Sequence, residues 1–256
     1  RYESIIGFQW FALSTSLHSI SLHGLLLPVF DPSDGVLSTS LTSLEMTLYD
    51  PDWDSSLSTA FPKLQTLTML PRAIQNRHPP ILNPMSLPKE LKTLHIRAHD
   101  IWILSAESAE ACGLSPSDSH WPAGLTSLNI TLRKRERVTD EENWMLYLPA
   151  GLTHLDYAPN PIAPGWWSKV KLPFIGNLRS LHLFPYAFDT TSAAEVLALP
   201  RSLESLSYQI RPLPELLEAL PSQLTCVQLR YDVAYTAEDL LALPKTVTKI
   251  PTLTIA

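Results

Sequence analysis

Charge, cysteine and glycine are all scarce in this chain, and each scarcity removes a class of function. Charged residues make up 17% of the 256, and the balance is −6. A nucleic-acid binder shows a basic stripe, so that class is set aside. Only two cysteines are present, Cys112 and Cys226, which is no disulfide framework. Eight glycines, none in a phosphate-cradling pattern, leave no nucleotide loop. Gly-x-Ser-x-Gly, His-Glu-x-x-His and Cys-x-x-Cys are missing as well, so no motif points to an enzyme, a metal or a cofactor. No apolar run reaches the ~18 residues of a membrane span, and no membrane partner is expected. The chain opens on Arg1 without a leader pattern. We read it as one domain over residues 1–256 from a longer protein, with a cytoplasmic location expected.

What the chain has is leucine, proline and a period. The pattern Leu-x-x-Leu-x-Leu starts at Leu17, Leu41, Leu64, Leu91, Leu125, Leu152, Leu178, Leu203, Leu224 and, as a variant, Val247. The nine intervals are 24, 23, 27, 34, 27, 26, 25, 21 and 23 residues. The 34-residue interval carries a loop insertion. A second signal runs in phase. Pro follows an apolar residue at Phe61-Pro62, Leu87-Pro88, Trp121-Pro122, Leu148-Pro149, Leu172-Pro173, Leu199-Pro200, Leu220-Pro221 and Leu243-Pro244. Proline ends a helix and biases the chain towards extended structure. The segment before it reads as a short helix in several units. Thr236 to Leu243 has a Thr cap, an acid three residues on and helical apolar spacing. Residues 192–199, 139–148 and 214–220 read the same way, the last with Pro214 at its first turn. Each unit is thus strand, loop, short helix and Pro turn.

One such unit cannot bury its own apolar side, and stacking units makes a continuous core. The motif closely resembles the leucine-rich repeat family from Leu17 to about Ile255, in its Pro-led form found in fungal, amoebal and bacterial proteins. That resemblance implies an α/β solenoid of about ten repeats, a curved horseshoe. Its parallel sheet would line the concave face, with short helices and irregular loops on the convex face. Residues 1–16 would be a cap or a degenerate repeat. The family's Asn or Cys, three residues beyond the third motif position, is met only by Asn160. The turns after the strands are therefore expected to be less regular than in a typical member.

Alternation along a strand places two rows of residues on the solvent side. The first runs Ser19, Ser43, Thr66, Thr93, Ser127, His154, Ser180, Ser205, Cys226, Lys249, and is mostly small hydroxyls. The second runs Ser21, Glu45, Thr68, His95, Asn129, Asp156, His182, Ser207, Gln228, Pro251. A third position adds Arg97, Thr131, Ala158, Phe184 and Arg230. The richest chemistry lies on the middle repeats. We expect His95, Arg97, Asn129, His154, Asp156, His182 and Phe184 to form one binding patch, with Gln228 and Arg230 further along the same face. Arg and aromatic side chains are common anchors of protein contacts.

The expected function is a non-enzymatic scaffold that binds another protein, in one form the substrate-recognition part of an F-box type ubiquitin-ligase adaptor. An extracellular or surface recognition module is the alternative, and Asn129-Ile130-Thr131 is a glycosylation sequon that would suit it. A third reading is an enzyme or metal site built on His154, Asp156 and His182, with the two histidines as neighbours across the ladder. The run Arg133 to Arg137 contains Glu136 and precedes Asp140 to Glu142, so it reads as a solvated loop. Trp166 and Trp167 read as a plug for a unit that lacks a clear helix. The end, Ile250 to Ile255, reads as an edge strand open to pairing.

Overall fold

The computed structural model describes residues 16–22, 38–47, 57–70, 81–82, 84–98, 102–103, 121–132, 148–158, 175–183, 199–207, 217–218, 220–228 and 236–250. Eleven strands are present among them: β1 Ser19–Leu22, β2 Ser43–Met46, β3 Thr66–Met69, β4 Ile81–Leu82, β5 Thr93–Ala98, β6 Trp102–Ile103, β7 Ser127–Leu132, β8 His154–Ala158, β9 Ser180–Leu183, β10 Ser205–Ser207 and β11 Cys226–Gln228. Nine form one sheet in the order β1-β2-β3-β5-β7-β8-β9-β10-β11. Every neighbouring pair in it is parallel. Each of these strands begins two residues after the first leucine of a motif copy. The Val247 copy adds one further rung, a single parallel bridge from Cys226 to Lys249. This is the architecture of a leucine-rich repeat solenoid.

The motif creates the core column by column. Its first leucines, from Leu41 to Leu224, are fully buried, and so is the second column from Leu44 to Val227. The third column includes Met46, Met69, Ile96 and Ile130. A fourth column comes from the residue before each proline: Phe61, Leu87, Trp121, Leu148, Leu199, Leu220 and Leu243. Full burial of one such side chain contributes about 1.5–3 kcal/mol, so the columns supply the main driving force for stacking.

The proline segment makes a tight turn. The carbonyl of Pro88, Pro122, Pro149, Pro200, Pro221 and Pro244 accepts a bond from the N–H of the motif residue three positions on, at 2.9–3.3 Å. Proline is suited to this place because the turn asks only for its carbonyl. At Phe61-Pro62 the turn starts one residue earlier, and Phe61 supplies the carbonyl to Leu64.

Immediately before each strand the chain carries a ladder that the leucine pattern does not reveal. The carbonyl of Thr126, for example, accepts from the N–H of Thr153 at 2.9 Å and of His154 at 3.0 Å. The hydroxyl of Thr153 donates to that same carbonyl at 3.0 Å. Thr42, Thr126, Thr225 and Thr248 donate in the same way to the unit before. The signal was present in the recurrent Leu-Thr or Val-Thr at 41, 125, 152, 224 and 247. The expected Asn position after the strands lies outside the described residues in every unit, Asn160 included.

Helices close several of the described units: α1 Leu57–Ala60 and α2 Ala237–Leu241, and Leu217 and Glu218, within the helix expected over 214–220, are helical too. Helix α2 has the expected cap. The Thr236 hydroxyl accepts from the Asp239 N–H, and the Asp239 carboxylate accepts from the Thr236 N–H at 2.7 Å. Helix α1 puts Leu57 and Ala60 in the core. A short 3-10 turn at Ile175–Asn177 precedes β9. A second small sheet pairs β4, between β3 and β5, in parallel with β6, which lies in the 34-residue interval, and Leu82 of β4 is fully buried in the common core. Of the helices expected over 139–148 and 192–199 only the last residues, Leu148 and Leu199, are described, and the basic run 133–137, Trp166, Trp167, Cys112, the terminal segment 1–15 and residues 251–256 lie outside the described residues.

Candidate functional site

The outward rows are in register across the sheet. Ser19, Ser43, Thr66, Thr93, Ser127, His154, Ser180, Ser205 and Cys226 are direct partners in sequence. So are Ser21, Glu45, Thr68, His95, Asn129, Asp156, His182, Ser207 and Gln228. Arg97 pairs with Thr131, and Thr131 with Ala158. The buried apolar residues that alternate with the outward rows explain this constancy. A shift by one residue would turn a whole core column into water.

The second row is knitted by side chains between strands. Asn129 on β7 donates its amide to Asp156 Oδ2 on β8 at 2.5 Å. The Thr131 hydroxyl donates to Asn129 Oδ1 at 3.2 Å, so the Asn amide is used at both ends. On its other side, Asp156 Oδ1 faces His182 Nδ1 of β9 at 3.4 Å, and both side chains are about one-third exposed (31% and 28%). Further along, Ser207 donates to Gln228 Oε1 at 2.8 Å, and Ser21 donates to Glu45 at 3.3 Å. Such cross-strand pairs hold side chains at fixed places on a sheet surface.

His95 stands one strand from Asn129 and is half-buried. Burial, and then the Arg97 guanidinium two residues on, hold its imidazole below the usual histidine range, and Asp156 acts against them. Arg97 is exposed. His154 lies on the first row, exposed, with its Nδ1 2.8 Å from the Thr153 hydroxyl. It is therefore not the direct neighbour of His182, contrary to the expectation from the sequence. The register sets His154 opposite Ser180 and gives Asp156 to His182. The difference is two residues along the strand, because His154 belongs to the first row and His182 to the second. Phe184 and Arg230 lie outside the described residues. The structure thus brings together Asn129, Asp156 and His182, sets His95 and Arg97 beside them, and leaves His154 and Gln228 on the same face but in other contacts.

Asp156, His182 and Ser207 follow one another across three strands, and an acid–imidazole–hydroxyl series is a familiar nucleophilic arrangement. Here the Ser207 proton is directed to Gln228. Among the described residues no three His, Cys, Asp or Glu side chains converge as a metal site. What the arrangement can do is present fixed donors and acceptors to a large surface.

No family model and no curated protein matches the sequence. Solved structures similar to this chain include two leucine-rich repeat proteins. The leucine-rich repeat-containing protein LegL7 from Legionella pneumophila aligns at 16% identity and a TM-score of 0.45, over 91% of this chain and 89% of that one. CroV588, described as a circular leucine-rich repeat protein, aligns at 17% identity and a TM-score of 0.42, over 92% of this chain and 36% of that one.

Proposed function

We propose that this leucine-rich repeat solenoid is a protein-binding scaffold, and that its partner lies on the polar face of the nine-stranded sheet, taken as the concave side. One observation carries the reading: the outward rows hold register over nine strands, with a cross-strand network, Asn129–Asp156–His182, at their centre. A surface of fixed, half-buried polar groups lowers the ordering cost of binding, because those groups are already positioned. His95, Arg97, Asn129, Asp156 and His182 form the centre of the contact, with His154 and Gln228 at its borders.

The F-box type adaptor is a special form of this reading and rests on family analogy. A cytoplasmic location belongs with it, and the free thiol of Cys226 suits a reducing compartment. The surface-module alternative would use the sequon at Asn129. A glycan on that amide would take one of the two hydrogens of the nitrogen that donates to Asp156 and would cover the centre of the face, so we favour the intracellular form.

The test is a crosslinking capture from the native source. Wild-type chain is compared with Arg97→Glu, alone and combined with Ser180→Arg, and with Glu238→Lys on α2 as a control. Partners lost from the sheet variants and kept by the control support the reading. Partners kept by all three move the contact off the sheet.

A further inference from the structure

We draw no further inference here: the strongest candidate, the apolar flank of the last described rung of the sheet, where Val247 and Ile250 stay partly exposed while the same two columns are sealed from Leu41 to Val227, carries nothing because nothing in the structure shows what covers it.

Discussion

Removing Asn129 and Asp156, singly and together, tests whether the network on the sheet is a working unit. The bond between them is charge-assisted, a class that contributes about 1.5–3 kcal/mol when shielded. Asp156 is about one-third exposed, so water screens part of that and the expected coupling is about 1 kcal/mol. Asn129→Ala also strips Thr131 of its acceptor, whereas Asp156→Ala also strips His182 of its acid. Each single change therefore costs more than the shared bond, and only the cycle isolates it. Urea unfolding followed by circular dichroism gives the four stabilities. Independent sites add within about 0.3–0.5 kcal/mol. A coupling below about 0.3 kcal/mol would mean that the two residues are merely adjacent, and the idea of a fixed polar network would be lost.

Four further outcomes follow from the same geometry. Leu128→Ala, in the middle of a buried column, should destabilise by about 2–5 kcal/mol in the same unfolding assay. Thr236→Ala should cost about 1 kcal/mol, seen as faster amide exchange in α2. The pair Thr126→Val and Thr153→Val keeps side-chain shape but deletes two hydroxyl donors, and should lower the urea midpoint by the equivalent of about 0.5–1.5 kcal/mol per rung. His95 supplies a pH effect of known sign. Its folded pKa lies below the unfolded value of about 6.5, so below that pH the unfolded chain binds a proton that the folded chain refuses. Stability should fall with pH from about 6.5 down to the folded value, and His95→Gln should flatten this part of the profile.

Much of this was legible because the leucines overdetermine the register. The interval between Leu91 and Leu125 is 34 residues, yet β5 and β7 pair directly, Thr93 opposite Ser127. At the next Pro turn Trp121 and Leu125 refill the same columns. The cap at Thr236 was legible for a local reason, since a Thr with an acid three residues on can satisfy two N–H groups within one turn.

Other features were hidden for equally physical reasons. The repeat already placed His154 and His182 in different rows, two residues apart along the strand, yet which neighbour each imidazole meets, Thr153 for His154 and Asp156 for His182, depends on side-chain geometry. Strands β4 and β6 are two residues each, too short for any alternation to register in sequence. The hydroxyl ladder uses Thr at an exposed position next to the core motif, where polar residues are usual and nothing marks one as bonded to the preceding unit. The adjacency of Asn129 and Asp156 in the second row was legible from the repeat, but that the amide donates to the carboxylate depends on side-chain geometry.

The central claim is that the polar sheet face, rather than the helices, meets the partner. A photo-crosslinking side chain placed at Ser180, in the middle of the first row, tests it most directly when compared with one placed at Leu241, which is 83% exposed on α2. In extracts of the native source, the account predicts a discrete protein adduct from position 180 and none from position 241. An adduct from position 241 alone would contradict it and move the working surface to the helices.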